Sequence, residues 1–117
     1  MPPRSELAAP QAEVVFGDLH GTSISTELRD TAIRAARQLG FRTACNAPYA
    51  GGYITARHGR PAAGVHALQI EIDRSLYLSD DLRSPGAGFE RTAAMLAQVT
   101  LALAARATEP PQAIAAE

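Results

Sequence analysis

Two stretches of helical period constrain this chain more than anything else in it. Between about Ser25 and Leu39, apolar residues recur at Ile24, Leu28, Ala32, Ala35 and Leu39. From Phe89 to about Ala107, they recur at Phe89, Ala93, Leu96, Val99 (or Thr100) and Leu103. A spacing of three or four residues puts each set on one face, and a helix with one oily face must bury it against another element. Ser23, Ser25 and Thr26 can cap the first helix, Glu27 and Asp30 suit its positive end, and Gly40 suits the position after its last turn. Arg29, Arg34 and Arg37 then fall mainly on its solvated side.

Short strands are expected at Glu13–Phe16, which holds two β-branched valines, and around Arg42–Cys45. Val65–Ile72 is the best strand pattern. One side carries Val65, Ala67, Gln69, Glu71 and Asp73, and the other His66, Leu68, Ile70 and Ile72. Between them, residues 46–64 hold four glycines and two prolines, which predicts a shaped loop with a short strand at Tyr53–Thr55. Strands alternating with long helices predict an α/β layer architecture with too few strands to close a barrel. With 117 residues there is room for one domain. Residues 1–12 read as a flexible lead-in, 13–107 as the folded unit and 108–117 as a tail, since Pro110 and Pro111 stop a helix.

Composition excludes several classes of function. Hydrophobic residues are 46% and charged residues 20%, as in a soluble globular chain. The formal net charge of -1 removes the electrostatic case for nucleic acid or an anionic membrane as partner. No apolar run approaches the roughly 20 residues of a membrane span, and no secretory signal is visible. Cys45 is the only cysteine, which rules out an intramolecular disulfide and fits the cytoplasm. There is no phosphate loop, dinucleotide fingerprint or Gly-x-Ser-x-Gly elbow.

Four places could carry chemistry. Asp18 and His20 follow the first strand. If that strand continues, both point the same way and could share a metal ion, or Asp18 could orient the imidazole; otherwise Asp18 is a turn residue and His20 faces solvent. Glu71 lies inside the apolar run LQIEID, where a carboxylate is either paired or used, or else solvated on an edge strand. His66, an odd five residues earlier, points to the opposite face and reads as structural. Arg57, His58 and Arg60 share a glycine-rich loop suited to gripping a carboxylate, or simply solvated. Cys45 reads as a buried thiol rather than a nucleophile.

In chain order, the segments GDLHGTS, NAPYAGGYITARHGRP and GVHALQIEIDRSLYL resemble the C-terminal part of the N-formylglutamate amidohydrolase family, over about Val14 to Leu78. Asn46–Thr55 and His66–Ile72 are the specific parts. The resemblance implies part of a three-layer αβα sandwich of the zinc carboxypeptidase-like (phosphorylase/hydrolase-like) type. It implies hydrolysis of N-formyl-L-glutamate to formate and L-glutamate, a step in histidine breakdown, with zinc as cofactor and a small N-acyl amino acid as substrate. Glu71 is then the general base and acid, Arg57 and Arg60 hold substrate carboxylates, and Asn46 and Tyr53 orient the substrate.

Two departures accompany it. The family's zinc-binding motifs lie mainly upstream of the matched region, so His20 and Asp18 are the replacement ligands this chain could offer, where a catalytic zinc needs three. The loop ITARHGRP is also a variant, and the resemblance assigns no role to His58. A truncated chain is expected, which would self-associate or take its missing part from a partner. The rival expectations are a carboxylate-binding or assembly module without catalysis, and an unstable fragment with no function of its own.

Overall fold

The computed structural model describes residues 11–108. Most of the expected lead-in and tail, residues 1–10 and 109–117, lies outside the described residues. The elements are β1 (Val14–Gly17), α1 (Thr26–Gln38), β2 (Thr43–Cys45), α2 (Tyr53–His58), β3 (Gln69–Ile72) and α3 (Phe89–Ala107), with single 3₁₀ turns at Pro61–Ala63 and Arg74–Leu76. The sheet order is β2-β1-β3. β2 runs parallel to β1, and β3 runs antiparallel to it, with Val14 opposite Ile72 and Phe16 opposite Ile70.

β1 is central because nothing in it is polar. Val14, Val15 and Phe16 are all 0% exposed, the continuous burial expected of a strand covered on both faces. Val14 and Phe16 join Ala32, Ala35 and Ala36 of α1, Phe41, and Met95 and Val99 of α3 in one cluster, with Ile70 and Ile72 of β3 packed against it. Both long helices therefore back the same face of the sheet. Val15 and Glu71 point to the other face, where Gln11, Ala12, Ala44, Ala47, Pro48 and Tyr49 surround Val15.

The caps on α1 follow the sequence closely. The Ser25 hydroxyl accepts the Leu28 N–H at 3.2 Å. At the other end Gly40 takes φ 87°, its N–H reaches the Arg37 carbonyl, and the Phe41 N–H reaches that of Ala36. This closing pattern needs a residue without a Cβ penalty, and it turns Phe41 into the core. Arg91 of α3 stacks 3.8 Å above the Phe41 ring and donates to the Leu39 carbonyl, so one side chain ties both helices to this corner.

Three expectations need correction. Tyr53–Thr55 is the start of α2 and not a strand. The Thr55 hydroxyl accepts the Gly52 N–H at 3.0 Å and donates to the Gly52 carbonyl at 2.9 Å, and these local bonds outweigh the β preference of Tyr, Ile and Thr. The strand at Val65–Ile72 is regular only over Gln69–Ile72, because Val65 bridges to Arg60 and the Ala67 N–H goes to Ser23. The buried stripe of α3 is Thr92, Met95 and Val99, with Leu96 and Leu103 beside it, while Phe89 and Ala93 are exposed. Phe89 opens the helix at its rim, where it is 44% exposed, and Met95 fills the space above Phe16 and the α1 alanines.

That rotation is testable by chemical denaturation. Met95→Ala should cost about 2–5 kcal/mol of stability, the range for emptying a filled core position. Phe89→Ala should cost less than about 1 kcal/mol. Equal losses would mean that the helix presents the face expected from its periodicity.

Candidate functional site

β1 ends where the backbone turns left-handed. Leu19 and His20 have φ 51° and 54°, and Gly21 has φ 87°. The strand therefore does not continue through Asp18 and His20, and the condition for their sharing a ligand is not met. Asp18 is instead fully buried at 0% exposure. Its Oδ1 accepts the Gly21 N–H at 2.8 Å and the Asn46 Nδ2 at 2.7 Å, and its Oδ2 accepts Arg29 Nη1 at 3.1 Å. Burial alone would raise the Asp18 pKa, but the Asn46 and Gly21 hydrogen bonds and the Arg29 guanidinium outweigh it and hold the carboxyl below its usual range.

Asn46 completes the arrangement. Its Oδ1 accepts the Asp18 N–H at 3.0 Å and the His20 N–H at 3.4 Å. It takes φ 65°, which asparagine tolerates better than most residues. The same loop is pressed against the end of β1. The Leu19 N–H donates to the Ala50 carbonyl at 2.8 Å, and a Cβ on Gly17 would sit 2.6 Å from the Ala50 carbonyl group. Only glycine permits that approach. Cys45 is half-buried beside this cluster, and burial together with the Asp18 charge pushes its thiol pKa up, away from nucleophilic character.

A second tie leads to β3. The Ser23 hydroxyl donates to the Ala67 carbonyl at 2.7 Å, and the Ser25 N–H donates to His66 Nδ1 at 3.0 Å. His66 is thus a structural histidine at the start of α1. Glu71 is half-buried on the face away from the helices, opposite Val15, and its Oε1 accepts Gln69 Nε2 at 3.2 Å. Gln69 in turn faces Gly52, where an added Cβ would lie 3.7 Å from its Oε1. The carboxylate, the amide that holds it and the start of α2 form one continuous patch.

The remaining site candidates follow from α2. Arg57, His58 and Arg60 line one surface hollow of about 270 Å³ with Val65, so the two arginines are brought together. Tyr53 is 76% exposed at the start of α2. His20 is exposed, and its backbone N–H reaches Asn46 Oδ1. Arg29, expected on the solvated side, is the residue that the sequence reading missed. The available signal was a buried-type aspartate directly after an apolar strand, which needs a cation, with Arg29 the first arginine of the next helix.

Comparisons with known proteins place the chain in a family. The profile of the N-formylglutamate amidohydrolase family matches residues 1–78. The chain belongs to that family. The crystal structure of N-formylglutamate amidohydrolase from Ralstonia eutropha JMP134 is similar, with 36% identity and a TM-score of 0.70. That likeness covers 89% of this chain and 35% of the other, so the chain spans about a third of that relative's length. No curated protein matches the chain. No helix among the described residues is long and apolar enough to cross a membrane.

The expected zinc can be tested against the donors on hand. Among the described residues no three His, Cys, Asp or Glu side chains converge to hold a metal ion. Both Asp18 oxygens are committed to protein donors, His66 Nδ1 is committed to Ser25, and His58 shares its hollow with two arginines. These residues do not fit a catalytic zinc, which needs three convergent, available donors.

The Asp18 pKa gives a pH prediction. A carboxyl held below its unfolded value stabilises the fold above that value and loses the contribution as pH falls through the folded one. The stability gap between the native chain and Asp18→Asn should be constant above about pH 5 and narrow below about pH 4. Urea denaturation across this range measures it, and a gap that does not change with pH would show that Asp18 is not held ionised.

Proposed function

We propose that this chain provides the carboxylate-binding and proton-transfer parts of an N-formylglutamate amidohydrolase reaction, the hydrolysis of N-formyl-L-glutamate to formate and L-glutamate. Membership of the family supports the reaction class. The observation that carries the assignment to residues is Glu71, a half-buried carboxylate held by Gln69 on the face of the sheet that the long helices leave open.

The chemistry asked of these residues is modest and balanced. Glu71 takes one proton from the attacking water and returns it to the nitrogen released when the C–N bond breaks. Gln69 fixes the carboxylate orientation. Arg57 and Arg60 form a fork-donor pair in one hollow, suited to the carboxylates of a glutamate-like substrate; Tyr53 opens the helix that carries Arg57, and Asn46 starts the loop leading into it. Asn46 acts here through the loop that it anchors. Zinc is outside this scheme, since the described residues do not fit it and no step runs through it. The three-layer sandwich belongs to the same proposal, with further structure covering the Glu71 face, as do a cytoplasmic setting and a place in histidine breakdown.

A second reading keeps the same arginine hollow in a module that binds an N-acyl amino acid without turning it over.

Formate release from N-formyl-L-glutamate, with and without added zinc, separates the two. On the first reading, Glu71→Gln lowers the rate by about 10²–10⁴-fold, and the paired change of Arg57 and Arg60 to Gln raises KM with a smaller effect on kcat. On the second, the native chain releases no formate, while calorimetry detects ligand binding that the arginine changes abolish. Turnover that survives Glu71→Gln unchanged would overturn the first reading.

A further inference from the structure

We propose that two copies of this chain pair edge to edge through β3, extending the sheet to β2-β1-β3-β3-β1-β2 about a two-fold axis at Ile70. The inference rests on which backbone groups each strand uses. The Asn46 N–H donates to the Phe16 carbonyl and the Val14 N–H to the Arg42 carbonyl, so Val14 and Phe16 face β2. The Asp73 N–H donates to the Glu13 carbonyl, and Val15 and Gly17 pair with Glu71 and Gln69, so that carbonyl and the alternate residues Val15 and Gly17 face β3. By antiparallel alternation, Gln69, Glu71 and Asp73 turn their backbone groups toward β1, while Ile70 and Ile72 turn theirs outward. No described strand pairs with that outer edge.

The side chains select the occupant. In a two-fold pairing centred on Ile70, Ile70 meets its own copy in a hydrogen-bonded pair. Gln69 then lies directly opposite the partner's Glu71, and Glu71 opposite the partner's Gln69. This amide–carboxylate pairing repeats the contact that the two residues make within one chain, at 3.2 Å. A slip of two residues in one direction sets Glu71 against the partner's Glu71, a like-charge pair that costs stability. A slip the other way opposes two glutamines and shortens the overlap. A slip of one residue turns the apolar face of one copy to the polar face of the other. The sequence QIEI therefore has one favourable register with itself.

The helix side of the edge supports the same occupant. Ile24, Leu28, Leu68, Ile70 and Leu103 line an apolar hollow of about 460 Å³ there. Directly opposed residues point to the same face of a sheet. The two-fold axis therefore brings the two hollows onto the same side of the extended sheet, next to each other. An exposed strand edge beside apolar surface is a template for adding a strand, and a second copy brings both a matching edge and a matching hollow.

The test uses the full chain. Sedimentation equilibrium should give a mass approaching twice the 12.3 kDa of one chain as concentration rises. Register is read by oxidative cross-linking in a Cys45→Ser background, which removes the native thiol. A mixture of Gln69→Cys and Glu71→Cys chains should give mainly the 69–71 heterodimer, and Glu71→Cys alone little cross-linked dimer. Circular dichroism and a urea midpoint near that of the native chain establish that each variant is folded, and sedimentation of the native chain is independent of them. A monomer at every concentration would overturn the proposal, and so would a dimer that cross-links 71 to 71 in preference to 69 to 71.

Discussion

The buried carboxylate of Asp18 is the point on which the rest of the structure depends. A charge without solvent must be paired and hydrogen-bonded, or it is not tolerated. Here the requirement is met from three directions: Gly21 from its own turn, Asn46 from the loop after β2, and Arg29 from α1. Each donor fixes a different part of the chain. Gly21 and the carbonyl of Asp18, which accepts the Thr22 and Ser23 N–H groups, shape the entry to α1. Arg29 sets how the first turns of that helix sit over the end of β1. Asn46 anchors the loop that runs through Ala50 and Gly51 into α2, and so determines where Arg57 and Arg60 are carried.

The layering adds a second constraint. Both long helices and the cluster around Phe16 and Met95 take one face of the sheet. The alanines Ala32, Ala35 and Ala36 let α1 come close, which suits a chain with few aromatic residues. The other face is left with Val15, Gln69 and Glu71, and with the loop that Asn46 anchors. Polar residues kept on that face neither weaken the core nor need internal pairing, which makes it the place where reactive groups can be held at low structural cost. His66 serves the boundary between the two: it receives the Ser25 N–H at the start of α1 just before the chain enters β3.

Much of the fold was legible in the sequence. Helical period and end signals placed α1 within a residue at each end, because Ser25 and Gly40 act through purely local geometry. Alternation assigned Leu68, Ile70 and Ile72 to one face, and the odd spacing separated His66 from Glu71. The failures have two causes, a local hydrogen bond that outweighs residue preference and a tertiary position that the helical period does not encode. Tyr53–Thr55 has strand-forming residues, but Thr55 bonds back to Gly52 and starts a helix. Met95, not Phe89, fills the core because position along the helix relative to Phe16 decides burial, and hydrophobicity alone does not encode it. At the site, Arg57 and Arg60 line one hollow. Asp18 was read as a metal ligand or a turn residue, and its partner was not found, since nothing in the spacing of 11 residues announces an ion pair with Arg29. Asn46 was read as a substrate contact, and its side chain serves the backbone of the neighbouring turn.

The central claim is that Asp18 and Asn46 act as one unit that ties the end of β1 to the loop carrying the site. A double-mutant cycle with Asp18→Ala, Asn46→Ala and both together, read by urea denaturation at neutral pH, tests it most directly. The expected coupling is about 1 kcal/mol or more, within the range for contacting residues in one network. Strictly additive losses would contradict it, because they would mean that the loop finds its place without the carboxylate.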